Sequence, residues 1–104
     1  MPRFDVYQNP IAEQRRAVPY WLDVQSDLVD ALQTRVVVPL RIREDERLAS
    51  HRLNPCFEIE QHLVYAETQN LAAVPRRLLK KRVTSLQAHH AELEDALDFL
   101  FRGY

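Results

Sequence analysis

Glycine is almost missing from this chain: Gly103 is the only one in 104 residues, and it stands next to the carboxyl end. No strand turn can use it, so hairpins are expected to be closed by Asn, Asp or Pro, the other residues suited to turns. Cysteine is equally scarce. Cys56 alone excludes an intramolecular disulfide and fits a reducing compartment. No stretch approaches the roughly 20 consecutive apolar residues of a membrane helix. The opening Met1-Pro2-Arg3-Phe4-Asp5 lacks the apolar core of a secretion signal. A cytoplasmic protein with no membrane partner is the expectation. An excess of one charge sign is also lacking: 14 Lys and Arg stand against 15 Asp and Glu, a net charge of −1. The molecule as a whole is therefore no electrostatic trap for nucleic acid or anionic lipid, and any such binding has to be local. Repeats, low-complexity tracts and interdomain linkers are absent as well.

What is present is the composition of a folded domain, 46% hydrophobic and 28% charged. A chain of this length supports one core, so residues 1–104 read as a single domain. Phe4 to Tyr7 alternate as a short strand that Asn9-Pro10 ends, because the residue before proline is pushed out of helical geometry. Pro10 to Pro19 is polar and reads as a loop. From Tyr20 to Gln25, Leu22 and Val24 fall on one face and Asp23 and Gln25 on the other, a period of two. Ser26 to Asp30 places two aliphatic residues between acids, where a turn or short helical piece is expected. Arg35 to Leu40 is a β-branched run of the kind buried on both faces, with Pro39 at its end or at a bulge. The charged segment Arg41 to Arg52 then reads as a surface connection. Pro55 to Ile59 and His62 to Ala66 bracket Glu60-Gln61 as a hairpin, and Leu71 to Pro75 is a short apolar piece closed by proline.

The last stretch organises the rest. Thr84 with Gln87 three residues on is a capping-box pattern, which predicts a helix from Thr84. At about 100° per residue, Leu86, His90, Leu93, Leu97, Leu100, Phe101 and Tyr104 form one stripe, with Glu94, Asp95, Asp98 and Arg102 opposite. About five strands followed by one amphipathic helix predict an α+β fold, a small antiparallel sheet with barrel-like curvature and the helix packed across it. Arg76, Arg77, Lys80, Lys81 and Arg82 precede that helix, and Glu92, Glu94, Asp95 and Asp98 lie toward its end. Such an order opposes the helix dipole, at ~0.3 to 1 kcal/mol per charge. The basic run reads either as a solvated face or as an attractor for an acidic peptide or DNA.

Candidate chemistry is thin. His89 and His90 are neighbours that point about 100° apart on a helix and do not converge on one ion. His51, His62 and Cys56 lack ligand spacing, so no metal is expected. Glu58 and Glu60 would share one side of a strand as a carboxylate pair or, more simply, as a solvent face. Arg15, Arg16 and His62 are the residues available to an RNA-cutting site, which needs a base and a cation converging on one phosphate. Phe99, Phe101 and Tyr104 divide between core or dimer contacts and a partner surface at the chain end. Leu28 and Val29 divide between core and interface.

Five blocks together resemble the CcdB toxin family. They are Phe4-Asp5-Val6-Tyr7, Leu22-Asp23-Val24-Gln25-Ser26-Asp27-Leu28-Val29-Asp30, Val37-Val38-Pro39-Leu40, Thr68-x-x-Leu71-Ala72-x-Val74-Pro75, and the tail Ala96-Leu97-Asp98-Phe99-Leu100-Phe101-x-Gly103. The resemblance implies a homodimer of SH3-like barrels acting as the toxin of a type II toxin–antitoxin pair. Such a toxin is not an enzyme: it binds the A subunit of DNA gyrase, traps that topoisomerase on cleaved DNA, and needs no cofactor. It further implies a CcdA-like antitoxin with an acidic carboxyl-terminal segment, and binding of operator DNA only by the toxin–antitoxin complex, which regulates transcription. Carried over by position, the gyrase-binding surface comprises Leu28, Val29, Asp98, Phe101, Arg102, Gly103 and Tyr104. The family tail reads Phe-Trp-Gly-Ile after an upstream Asn; here Asp98 replaces the Asn, Arg102 the Trp and Tyr104 the Ile. Two alternatives remain beside this one: a CcdB-like protein that binds its antitoxin without poisoning gyrase, and an endoribonuclease toxin of similar barrel architecture.

Overall fold

Period-two alternation builds most of the molecule. In the computed structural model, which describes residues 1–44 and 51–103, seven strands and one α-helix follow one another. They are β1 (Asp5–Gln8), β2 (Tyr20–Asp23), β3 (Thr34–Ile42), β4 (Cys56–Ile59), β5 (His62–Ala66), β6 (Ala72–Pro75), β7 (Arg82–Ser85) and α1 (His90–Arg102). All strand pairs are antiparallel, in the order β4-β5-β3-β2-β1-β7, with β6 also beside β3. The fold is α+β, a curled half-barrel with the helix at the chain end.

β3 is the axis of this curl. Its nine residues are long enough to pair β6 through Thr34 to Val37 and β5 through Leu40 to Ile42. β2 occupies the other edge. Pro39 lies within β3, opposite Trp21 and in unbroken register, and not at the strand end or bulge that the sequence suggests. The Pro39 carbonyl accepts from the Glu67 N–H at 2.9 Å, so its nitrogen faces the same side, where β6 gives way to β5. No ladder donor is needed there, which is why proline is tolerated.

The two faces of the sheet bury different side chains. Val6, Leu22, Val38, Leu40 and Val64 enter one core with Phe4, Phe57, Leu86 and Leu93. Their neighbours Tyr7, Trp21 and Val37 point the other way and pack with Val18 and Leu79. The β-branched run of β3 is thus covered on both faces, as its composition indicates. Each fully buried aliphatic side chain contributes about 1.5 to 3 kcal/mol.

The helix starts later than the capping-box pattern suggests. Thr84 sits in β7 opposite Val6, and the Leu86 N–H bonds the Phe4 carbonyl at 2.8 Å. Pairing with β1 therefore takes this segment away from the helix. Ser85 Oγ accepts from the Gln87 N–H at 3.1 Å, a short 3-10 turn covers Gln87–His89, and α1 follows. Leu93 and Ala96 are its buried residues; His90 and Phe101, placed on the apolar stripe by periodicity, are exposed. The later start also removes the conflict with the helix dipole. Arg76 and Arg77 lie in a 3-10 turn, Lys80 and Lys81 in the connection after it and Arg82 in β7, all ahead of α1, while Glu92 lies in the first turn of α1 and Arg102 in its last, which the dipole favours.

The β4–β5 hairpin turns on Glu60-Gln61 as read, with φ of 51° and 67°. Two positive values mark a type I′ turn, normally given to Asn-Gly. Glutamate and glutamine take it here because β5 is held between β4 and β3 and the Glu60 carboxylate accepts from the Tyr20 hydroxyl at 2.7 Å. Burial, and after it that bond, push the Tyr20 phenol well above its ordinary range, so it remains the donor. Replacing Gln61 by glycine removes a left-handed conformation that costs an L-residue about 1 kcal/mol. Gln61→Gly is expected to raise the urea midpoint accordingly, with an unchanged denaturant slope.

Candidate protein-contact surface

The turn between β2 and β3 begins with a cap. Ser26 Oγ accepts from the Leu28 N–H at 3.2 Å, and a 3-10 turn spans Asp27–Val29, the short helical piece foreseen between the acids. Gln25 ties the turn down: its amide nitrogen donates to the Val29 carbonyl at 3.0 Å, and its amide oxygen accepts from the Val36 N–H at 3.0 Å. With the backbone satisfied from below, the aliphatic side chains are left facing outward. Leu28 is 95% exposed, Val29 45% and Leu32 53%. Three apolar side chains on one short loop are more than scattered surface residues and make this loop a candidate contact site.

Beneath this loop lies a buried ionic network. Arg35, with no exposed surface, donates from Nε and Nη2 to the two Asp23 carboxylate oxygens, each at 2.9 Å, and from Nη1 to Asp30 at 2.9 Å. Asp30 also meets the Met1 ammonium at 3.3 Å and Arg76 at 3.6 Å, and Arg76 donates to the Asp30 backbone carbonyl. Asp23 and Gln25, the polar face of the second strand, therefore face a buried arginine. Burial pushes the Asp23 carboxyl up, while Arg35 and the Gln25 N–H pull it back. For Asp30 burial also disfavours the charge, but the Met1 ammonium, Arg76 and Arg35 outweigh it and hold the carboxyl below its ordinary range. A carboxyl lowered in the folded state stabilises the fold above its unfolded pKa and loses that contribution as pH falls through the folded value. Asp30→Asn is accordingly expected to flatten the decline in melting temperature that begins near pH 4, the ordinary carboxylate range of about 3.9, and to leave the slope near neutrality unchanged.

The second patch is the end of α1. Phe101 is 71% exposed and Phe99 37%. Arg52 forks onto both Asp95 oxygens at 2.9 Å and lies 4.8 Å from the Phe99 ring centroid, covering that ring and leaving Phe101 open. Gly103 has φ 79° and donates its N–H to the Phe99 carbonyl at 2.9 Å, a left-handed helix cap. A Cβ at Gly103 would meet nothing within 4 Å, so the sign of φ and not crowding calls for glycine. The one glycine of the chain thus has a structural reason of its own.

Leu28, Val29, Asp98, Phe101, Arg102 and Gly103 are all exposed. Tyr104 lies outside the described residues, as do residues 45–50 of the connection expected between Arg41 and Arg52. Within the protomer the two patches are separate: among the described residues no hydrogen bond or ion pair joins Ser26 to Gln33 directly with 98–103. Arg3 links the elements that carry them, its N–H on Asp27 at 2.7 Å and its guanidinium on Glu94 of α1 at 3.4 Å. Sequence reasoning missed Leu32 as part of the patch and Arg3, Gln25 and Arg35 as its supports. Leu32 carried the same signal as Leu28, an aliphatic residue among polar loop neighbours. The supports gave none, because their partners lie up to 91 positions away.

Other candidate sites dissolve in the structure. Glu60 lies in the turn and holds Tyr20, so it forms no pair with Glu58 of β4. His89 and His90 meet Glu92 and Glu94 within the helix, and among the described residues no His, Cys, Asp or Glu group is arranged to hold a metal. Arg15 donates to the Asn9 and Pro10 carbonyls, whereas His62 sits with Tyr20 at the β4–β5 turn, so no bond brings the two together. No helix among the described residues is long and apolar enough to cross a membrane.

The curled antiparallel sheet, the outward aliphatic loop and the glycine-capped terminal helix coincide with a match to the family model described as CcdB protein, over residues 3–103. The chain belongs to the CcdB family. It is a toxin of the toxin–antitoxin class. Family membership covers nearly all of the chain, including both exposed patches up to the helix cap.

Proposed function

We propose that this CcdB-family toxin acts in the cytoplasm as a homodimer that binds the A subunit of DNA gyrase and traps the enzyme on cleaved DNA. A CcdA-like antitoxin neutralises it, and the two together bind operator DNA. Leu28, Val29, Asp98, Phe101, Arg102, Gly103 and Tyr104 form the gyrase-contacting surface. The observation that carries this reading is the loop around Leu28. Its aliphatic side chains face outward while an ionic network fixes the loop from below, an arrangement that serves a partner and not the toxin's own core. The toxin contributes binding energy and no bond-making chemistry.

One feature favours the alternative of antitoxin binding without poisoning. Arg102 stands where the family tail has tryptophan, and tryptophan is a frequent energetic anchor in protein interfaces. Purified protein separates the readings. Incubated with gyrase, ATP and supercoiled DNA, the toxin is expected to produce linear DNA on addition of denaturant. Antitoxin binding without linear DNA supports the alternative, and cleavage of RNA in place of either contradicts both.

A further inference from the structure

A groove crosses the second face of the sheet, where strand register sets four side chains in a row. Trp21 of β2 lies opposite Pro39 of β3, Arg41 follows two residues along the same face, and Tyr65 of β5 lies opposite Arg41. Trp21, Pro39 and Arg41 border a cleft of about 340 Å³, and a smaller hollow of about 140 Å³ continues past Arg41 to Tyr65. Ala17 borders both. From the spacing of strands and of residues along them, Trp21 and Tyr65 stand roughly 12 Å apart. The polar groups of this groove are unevenly engaged. Buried Glu67 has its Oε1 3.1 Å from Arg41 Nε, and its Oε2 accepts from Asn70 Nδ2 at 3.4 Å. The Gln14 amide oxygen accepts from Asn9 Nδ2 at 3.3 Å. Trp21 is only 7% exposed, yet its indole N–H has no partner among the described residues. Arg41 and Glu67 are the charged residues that line the larger cleft, so it carries no net charge, and Glu44 at the end of the smaller hollow disfavours an acidic ligand.

We propose that this groove binds a proline-rich, uncharged segment of a partner protein in the polyproline II form. Such a segment brings backbone carbonyls to accept from the Trp21 N–H, and its prolines have no N–H of their own to satisfy. Their apolar rings suit the flat faces of Trp21, Pro39 and Tyr65. At about 3.1 Å per residue, roughly four residues span the distance between the two aromatic rings. A segment with ordinary backbone N–H groups fits less well, because both oxygens of Glu67 and that of Gln14 are already engaged. The groove shares no residue with the proposed gyrase contact, so either can fail alone.

Trp21 is the only tryptophan of the chain, so its emission reports on the groove directly. An acetylated hexaproline amide titrated into the full chain is expected to shift that emission saturably. Ala17→Glu places a longer side chain at an exposed position that borders both hollows, and should weaken binding about tenfold or more while melting with the parent. Trp21→Phe keeps a ring and removes the N–H. Followed by anisotropy of the same peptide carrying fluorescein, it should lose about two- to tenfold, the value of one hydrogen bond. Linear DNA formation with gyrase should be unchanged by Ala17→Glu. The proposal is overturned if hexaproline does not bind, if Ala17→Glu leaves its affinity unaltered, if a hexaglutamate peptide binds as tightly, or if the emission shift follows protein concentration alone, which would place a second copy of the chain in the groove.

Discussion

Arg35→Leu is expected to destabilise the protein by about 3 to 5 kcal/mol, because it strands the buried Asp23 carboxylate without its counter-charge. That is a large fraction of the roughly 5 to 15 kcal/mol available to a domain. Arg35 donates to Asp23, Asp30, and the Met1 and Gln25 carbonyls, so its loss also frees the base of the loop that carries Leu28. Removing both charges, Arg35→Met with Asp23→Leu, should cost less than the arginine change alone, since an apolar pair needs no desolvated ion. Urea unfolding of the three proteins measures this. A loss below about 1 kcal/mol for Arg35→Leu, the range of an exposed ion pair, would show that the network is solvated and does not brace the loop.

Leu28→Asp is expected to do the reverse: to abolish growth arrest while leaving stability within about 0.5 kcal/mol. At 95% exposure the side chain has almost nothing to lose on the protein's own side. A charge placed at the centre of an apolar contact instead faces desolvation in the complex and removes an interaction of the kind that exceeds about 2 kcal/mol. Deleting Arg102-Gly103-Tyr104 should have the same phenotype, since it removes the helix cap and three proposed contacts from the tip, and Arg102 and Gly103 are exposed. Growth arrest and melting temperature, measured on the same variants, distinguish lost contact from lost fold. A fully toxic Leu28→Asp protein would remove that loop from the proposed surface.

Much of the fold was legible because alternation is local. Leu22 and Val24 against Asp23 and Gln25, the β-branched Val36-Val37-Val38, and the two halves of the Glu60-Gln61 hairpin declare their strands within a few residues. β6 and β7 raised the count from five to seven, and they were harder to read for a physical reason. Ala72 to Pro75 is too short to show a period, and Arg82 to Ser85 carries a helix-start motif that pairing with β1 overrides. Of the surface, Leu28 and Val29 were undecided in sequence because adjacent aliphatic residues look alike whether buried or not. Their exposure depends on Gln25 and Arg35, whose bonds only the fold creates. Tyr104 remains a proposed contact on family grounds alone.

Hydrogen exchange of the toxin with and without gyrase A subunit measures the contact itself. The account predicts slowed exchange at Ser26 to Gln33 and at Phe99 to Gly103, and unchanged exchange in β4, β5 and the Leu78 to Lys81 segment. Protection in those segments with none at the Leu28 loop or the helix tip would contradict it.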